Sequence, residues 1–261
     1  MAHDLADDLA LALRLADAAD EVTRPAFTGA AVAHELKADG SPVSVTDIAV
    51  ERRIGEIVAA ERPADGLLGE EVGESGPKRR RWILDGIDGT VLFVAGVSGW
   101  STQISLEVDG EPAIGVTTSG DDGRRWWAAR GQGAWRRDRP DAAAKPLLVS
   151  DRTALEGGRY SLIPPLDALT PERRRLVVPV DRAATYLPPT EHGALFVAEG
   201  RAEACVQLGG GAWDFAALSV IVEEAGGRFS DLRGRRDIYG GGPVVFSNGH
   251  VHDEVLAALA S

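Results

Sequence analysis

Apolar residues near the start of the chain recur at helical spacing. Leu5, Leu9, Ala12, Leu13 and Ala16 mark an amphipathic helix over about residues 4–22. Val50, Ile54, Ile57 and Val58 mark a second helix, stopped by Pro63, with Ser44, Thr46 and Asp47 at its start, where capping residues belong. Two short apolar runs, Leu67-Leu68 and Trp82-Ile83-Leu84, read as strands that end in acids at Glu70 and Asp85. From Ser101 to Trp135 the period falls to two. Gln103 to Val108 alternates, Asp109-Gly110 makes a hairpin turn, and Ala113 to Val116 continues, so an antiparallel meander is expected, with Trp126 and Trp127 on opposite faces. Residues 137–146 read as a linker or edge loop, and residues 157–193, with Pro164-Pro165, Pro179 and Pro188-Pro189 among them, carry no clear period. Beyond them come a helix at Leu195 to Glu199, a strand at Ala202 to Val206, and a helix through Ala217, Leu218, Ile221, Val222 and Ala225 closed by Gly226-Gly227. A strand at Val244 to Phe246 and a last helix over residues 250–260 complete the pattern.

Acids at strand ends lie where open sheets place ligands. Asp85-Gly-Ile-Asp-Gly-Thr90 sets two carboxylates three residues apart, with Ile87 between them. Glu70-Glu71 precede this stretch, and Trp213-Asp214 lie far beyond it. Glu70, Asp85, Asp88, Asp214 and the Ile87 carbonyl form an all-oxygen set, which suits Mg²⁺ and the hydrolysis of phosphate esters by metal ions about 4 Å apart. If a helix begins at Gly89-Thr90, its free N–H groups would hold a phosphate. The Thr90 hydroxyl could orient the attacking water, with Asp47 or Glu70 taking the proton. Each acid also has a plainer use: turns for Asp85 and Asp88, helix caps for Asp47 and Asp214, solvated surface for Glu70. The joint pattern is what favours chemistry.

The 261 residues are enough for a large core, and 44% hydrophobic and 26% charged residues are ordinary for a globular protein. The net charge of −12 argues against nucleic acid or an anionic membrane as partner, and means that bound cations must reverse the local field before an anionic substrate can approach. Cys205 is the lone cysteine, which excludes an internal disulfide and fits a reducing cytoplasm. The acidic N-terminus has no basic region of the signal-peptide kind, and no apolar run reaches membrane-spanning length. His3, His34, His192, His250 and His252 show no zinc-ligand spacing.

These motifs together resemble the inositol monophosphatase family of Mg²⁺-dependent phosphatases, from end to end. Ser41-Pro-Val-Ser-Val-Thr-Asp47 with Glu51 is similar to the family's S-P-V-T-x-A-D-x-x-x-E element, and Gly69-Glu70-Glu71 to its G-E-E. Residues 85–90 are similar to D-P-I-D-G-T, with Phe93 and Gly96 also in place. Trp213-Asp214 with Ala216-Ala217, and Glu224-Ala-Gly-Gly227, resemble W-D-x-A-A and E-A-G-G. Arg125-Trp-Trp-Ala-Ala-Arg-Gly131, Gly133-Ala134, Trp100, Val197-Ala-Glu-Gly200 and His252-Asp-Glu-Val-Leu256 are similar to the histidinol-phosphatase branch of actinobacterial type.

The resemblance implies an α+β fold, a layered αβαβα sandwich over residues 1–261 as one domain, with a metal-binding half (1–145) and a half carrying specificity elements (146–261). It implies a cytoplasmic homodimer and two or three Mg²⁺ held by Glu70, Asp85, Ile87, Asp88 and Asp214. Asp47 and Thr90 would activate water, and Gly89 and Thr90 would bind phosphate. Three positions depart from the family pattern. Gly86 replaces a proline and removes a rigid residue from the turn. Leu92 replaces an asparagine. Gln207 replaces a glutamate that accepts hydrogen bonds from substrate, so a cationic alcohol such as histidinol should bind less well. The R-x-x-G element is also missing, with Pro188-Pro-Thr-Glu-His192 in its stretch. Glu191 or His192 is then the replacement substrate contact, against the plainer expectation of two exposed loop side chains. The expected activity is hydrolysis of a small polar phosphate ester: histidinol phosphate, or a sugar, cyclitol or nucleoside monophosphate. The alternatives are a bisphosphate phosphatase, with Arg152, Arg159, Arg173, Arg174, Arg175 and Arg182 as candidates for the second phosphate, and a catalytically silent binding protein.

Overall fold

The computed structural model describes residues 4–261. Met1–His3, the first residues of the acidic N-terminus and the first of the histidines, lie outside the described residues. Helix α1 (Leu5–Ala26) is capped by Asp4, whose side chain accepts the Ala6 N–H, and outruns its expected end because Ala18, Ala19 and Thr23 continue its buried stripe. A hairpin, β1 (His34–Leu36) and β2 (Pro42–Ser44), leads directly into α2 (Val45–Glu61). Next come β3 (Gly66–Gly69), β4 (Gly73–Ser75), β5 (Arg80–Asp88) and the five-residue helix α3 (Thr90–Val94). The meander follows as β6 (Ser101–Val108), β7 (Glu111–Thr118), β8 (Arg125–Ala129), β9 (Ala134–Arg137) and β10 (Lys145–Pro146). Asp109 and Gly110 have φ of 55° and 86°, the pair of positive values that a two-residue turn between twisted strands requires.

The stretch without a clear period contains β11 (Arg159–Ile163), a 3₁₀ turn at Leu166–Ala168, α4 (Pro171–Ala183) and β12 (Thr185–Tyr186). Helix α4 escapes a reading of periodicity because only Val177 and Val180 are buried on it and a proline sits inside it. The chain ends with α5 (Gly193–Ala198), β13 (Ala204–Gln207), α6 (Ala212–Glu224), β14 (Arg228–Asp231), β15 (Val244–Ser247) and α7 (His252–Leu259).

These elements stack in the expected αβαβα order. The eight-stranded sheet runs β10-β9-β8-β7-β6-β5-β3-β4, and the five-stranded sheet β12-β11-β13-β15-β14. The twofold alternation of strand side chains splits each strand between two cores. Trp82 and Leu84 face α1 and α2, while Ile83 faces α5 and α6, which lie between the sheets. Trp126 likewise enters the central core, and Trp127 packs against the α1–α2 side. In the second sheet Cys205 and Phe246 point inward, and Val206 and Val245 point to α4 and α7. No helix among the described residues is long and apolar enough to cross a membrane.

His252 opens α7 in full burial, its two ring nitrogens each 2.8 Å from a hydroxyl, Ser230 and Ser247. Burial, reinforced by nearby Arg228, depresses its pKa to about 4. The folded state therefore resists protonation that the unfolded chain accepts below about pH 6.5, so His252 withdraws stability as pH falls towards 4. Relative to the His252→Gln variant, the wild type should lose about 3 kcal/mol of unfolding free energy between pH 7 and pH 4. Urea melts of both proteins across that range check this, and parallel pH profiles would refute it.

Candidate active site

Strand β5 was expected to end in Asp85 but runs on to Asp88, through an irregularity. Asp85 pairs with Gln103 and Asp88 with Ser101, so three steps on β5 match two on β6. In a regular strand, residues three apart point to opposite faces. The bulge re-aims one of them, so both carboxylates enter the same cleft. Asp214 joins them from the first turn of α6. Ligand oxygens of Asp85, Asp88 and Asp214 all lie within 4.8 Å of one another. Glu70, immediately after β3, and the Ile87 and Gly89–Thr90 backbone line the same cleft of about 200 Å³. Gly89 takes a left-handed backbone, φ 82°, and the short α3 opens there without a side-chain cap.

Asp47 and Asp214 are not the caps expected of them but the third residues of their helices, each reaching back to the capping position. Asp47 Oδ2 accepts from the Ser44 backbone N–H (2.9 Å) and hydroxyl (2.6 Å), closing a capping box on α2. Its Oδ1 accepts from the Thr90 hydroxyl at 3.0 Å, and that hydroxyl also lies 2.9 Å from the Ile87 carbonyl. Asp214 Oδ2 reaches back to the Gly211 N–H at 2.6 Å, so it is the third residue of its helix rather than the cap. One oxygen of each acid is thereby fixed and the other is directed onward.

The charge state shows what the cluster lacks. Burial, then repulsion from Glu70, Asp88 and Asp214, raises Asp85 well above the carboxylate range. Burial, then Asp88, raises Asp214 to about 7. Clustered carboxylates that repel in low dielectric call for a cation. Glu70 already has one from the protein: Lys37, from the β1–β2 hairpin, places its ammonium 2.7 Å from Glu70 and against Glu71. Lys37 was not anticipated, since nothing local in the sequence links it to residues 33 and 34 positions away.

Glu51, known from the sequence only as part of a motif, ties the site together. It is fully buried, four residues after Asp47 on the same face of α2. Its carboxylate accepts from the backbone N–H groups of Glu71 (3.0 Å), Val72 (2.9 Å) and Gly86 (3.3 Å). Burial raises its pKa to about 7 against these bonds. Gly86 is fixed on its other side by the Thr102 hydroxyl, 2.8 Å from its carbonyl. A Cβ at position 86 would lie 2.6 Å from the Asp47 carbonyl. The expectation that Gly86 loosens this turn is therefore corrected: two hydrogen bonds and close packing replace the rigidity of a proline.

The two replacement contacts separate. Glu191 is buried and committed elsewhere. Its oxygens accept from Arg124 (3.1 Å), Arg201 (2.6 Å) and Thr190 (2.7 Å), and these partners hold its pKa down against burial. It is a buried ion-pair partner, not the exposed loop residue of the plainer expectation. His192 is buried too. Its Nδ1 caps α5 by accepting the Ala194 N–H (3.2 Å), while its ring feels the charge of Asp88 and faces Gln207. Leu92 lies against Gly99 where the Thr190 backbone passes, which gives an apolar side chain a packing role there. Of the six candidate arginines, Arg152 bonds the carbonyls of Ala154 and Glu156, away from the acids.

A partly buried cluster of acids with a hydroxyl–carboxylate pair beside it, in a fold of two sheets layered with helices, fits a phosphatase. The chain belongs to the inositol monophosphatase family, which it matches over residues 4–261. It is 43% identical over 236 residues to a Streptomyces griseus protein named glucose-1-phosphate thymidylyltransferase, covering 87% of this chain and 86% of that one. It is 40% identical over 264 residues to the histidinol-phosphatase of Mycobacterium tuberculosis, covering 99% of each. The structure of an IMPase from Thermotoga maritima superposes with a TM-score of 0.85 at 25% identity, covering 97% of each chain. The chain is accordingly a phosphoric monoester hydrolase.

Two outcomes follow from the geometry. Gly86→Pro should not restore a family feature but destabilise the protein by about 3 kcal/mol, because it removes a buried donor and forces a clash with Asp47. Denaturant melts check this, and an unchanged midpoint would contradict it. In chelator, Asp214→Asn should melt higher than the wild type, since it removes a repelling charge from a metal-free cluster, and added Mg²⁺ should reverse that order. Thermal melts in both conditions decide it.

Proposed function

We propose that this protein is a Mg²⁺-dependent phosphomonoesterase acting on a small polar phosphate ester. The observation that carries the reading is the convergence of Asp85, Asp88 and Asp214 within 4.8 Å, next to the Thr90–Asp47 hydrogen bond. The donor set fits the ion. Hard carboxylate oxygens with no histidine or cysteine among them suit Mg²⁺, and the raised pKa values of Asp85 and Asp214 mark charge that a divalent cation would relieve. Asp85, Asp88, Asp214, the Ile87 carbonyl and Glu70 would hold two or three ions, Glu70 on release from Lys37. Bound there, Mg²⁺ supplies charge neutralisation for the phosphate and acidifies water.

The chain's own groups account for the remaining steps. Thr90, donating its proton to Asp47, keeps lone pairs free to accept from and orient the attacking water, and Asp47 is placed to take the proton that is released. The water oxygen bonds to phosphorus, the ester P–O bond breaks, and the alcohol leaves with a proton. Gln103, whose amide nitrogen is 3.3 Å from Asp88 Oδ2, steadies that acid through the exchange. Gly89 and Thr90 present backbone N–H groups to the phosphate. Glu70 remains the alternative proton acceptor.

Candidate substrates are histidinol phosphate and sugar, cyclitol or nucleoside monophosphates. The M. tuberculosis relative supports the first and Gln207 the others. We also read residues 1–261 as one unit, supported by α6 packing on both sheets, and as a cytoplasmic homodimer, supported by the family resemblance and the solitary buried Cys205.

Phosphate release from a panel of these esters should require Mg²⁺ and fall by more than about a hundredfold in Asp88→Asn, because even residues that merely support a metal ligand cost roughly ten- to a hundredfold. Bisphosphates and a glucose 1-phosphate plus dTTP arm test the bisphosphatase activity and the transfer named for the S. griseus relative. Release that persists in chelator, or in Asp88→Asn, would overturn the assignment.

A further inference from the structure

Paired residues on neighbouring strands share a face of the sheet, and β5, β6, β7 and β8 set Asp85, Gln103, Thr117 and Trp126 in one row. Trp126 places that row in the central layer, with the core that holds α5 and α6. Gln103 and Thr117 are therefore polar residues in an apolar layer, and both are fully buried. Their side-chain polar atoms are all bonded. The Thr117 hydroxyl lies 2.6 Å from Gln103 Oε1, and Gln103 Nε2 lies 3.1 Å from the Ser101 hydroxyl and 3.3 Å from Asp88 Oδ2. Those partners settle the orientation of the amide. A flipped Gln103 would turn Oε1 onto a carboxylate, acceptor against acceptor, so Nε2 faces Asp88 and Oε1 faces Thr117. The hydroxyl must then donate, and Thr117 holds the amide from behind.

The same restraint recurs across the acid cluster. Asp88 Oδ2 is held by Gln103, with the Ser101 hydroxyl 3.5 Å away, and Asp214 Oδ2 is held by the Gly211 N–H at 2.6 Å. One oxygen of each acid is left to turn to an ion. A carboxylate chelates through both oxygens only when both turn to the ion, so Asp88 and Asp214 are built for single-oxygen ligation. That distinguishes cations by size. Mg²⁺ demands near-octahedral geometry and completes it with water, whereas Ca²⁺ takes more oxygens and gains them from bidentate carboxylates.

We propose that Gln103, oriented by Thr117, is a positioning residue that keeps Asp88 monodentate, and that the pair thereby sets the preference of the site for Mg²⁺ over Ca²⁺. This rests on the Mg²⁺-binding part of the reading above and assigns the cation selectivity to two residues that touch neither ion nor substrate. Without the amide, Asp88 is free to turn both oxygens to one ion. The larger ion then gains a ligand. The smaller one is held in a strained octahedron, because the two oxygens of one carboxylate sit too close together to fill neighbouring corners of it.

The test is calorimetric titration of the full-length protein, freed of metal by dialysis against chelator, with Mg²⁺ and with Ca²⁺. The wild type is compared with Gln103→Leu, Thr117→Val and Thr117→Ser. Leucine fills the place of Gln103 without a donor, valine keeps the shape of Thr117 without its hydroxyl, and serine keeps the hydroxyl. Gln103→Leu should weaken Mg²⁺ by about tenfold or more and lower the ratio of Mg²⁺ to Ca²⁺ affinity by about tenfold. Thr117→Val should move the ratio the same way by less, and Thr117→Ser should keep the wild-type ratio. A purely structural role would weaken both ions alike. A ratio unmoved in Gln103→Leu and Thr117→Val therefore overturns the proposal, as does a wild type that prefers Ca²⁺. Should Gln103→Leu fail to fold, the two Thr117 variants decide. Phosphate release from the ester panel is followed in parallel. If the ions bind with the stated ratios and no ester is hydrolysed, the phosphomonoesterase reading fails and the selectivity assignment stands. If esters are hydrolysed and the ratio is unmoved, the assignment fails and the reading stands. If neither ion binds, both fail.

Discussion

One buried carboxylate holds the working parts of this molecule in register. Glu51 sits on α2 and accepts three backbone N–H groups from two turns, one carrying Glu70 and the other carrying Asp85 to Asp88. Backbone donors are fixed by the chain, so a side chain that satisfies three of them sets where those turns can be. Burial alone would make such a carboxylate costly, and its raised pKa records that cost. The bonds it accepts offset part of it. What results is a frame in which Asp47, one turn earlier on the same helix and held by Ser44, meets Thr90. The site is positioned by hydrogen bonds between elements, and the flexible residues in its turns are acceptable because of them.

Electrostatics gives the frame its purpose. A chain of net charge −12 that also gathers three acids within bonding distance of one ion would repel any phosphate, so the same carboxylates that exclude the substrate alone attract the cations that admit it. Elsewhere several buried acids are neutralised by protein cations. Asp20 meets Arg125 and Arg24, Glu107 meets Arg81, and Glu191 meets Arg124 and Arg201. The contrast separates the two uses of charge. These acids brace the fold through their arginine partners, while Asp85, Asp88 and Asp214 have no such partner among the described residues and stay available to an ion.

Much of this was legible in the sequence because the chemistry is local. The acids of residues 85–90, the alternation of the meander, and the helices with wide apolar stripes all lie within short windows, and the layered fold was what the family resemblance of the motifs implied. The failures share one cause. The bulge between Asp85 and Asp88 depends on pairing with β6, the grip of Lys37 on Glu70 and Glu71 spans a hairpin, and the capture of Glu191 by Arg124 and Arg201 joins distant segments. Helix α4 and the short strands around it were missed because they bury too few residues to leave a period. Gly86 looked like a loss of rigidity because the atoms that restrain it, on Asp47, Glu51 and Thr102, are invisible to a reading of neighbours.

Helix α6 shows where this leaves the dynamics of the site. It lies between the two sheets with an unbroken buried run from Phe215 to Val222, and it has no solvent face of its own. A helix of that kind cannot fray or open by itself, since releasing it would expose both sheets at once, so its amides should exchange with solvent only as the whole molecule unfolds. Asp214 is anchored in its first turn. The acid that completes the cluster is thus attached to the part of the chain least able to move, while the Lys37 hairpin opposite it, exposed along its first strand, belongs to the part most able to.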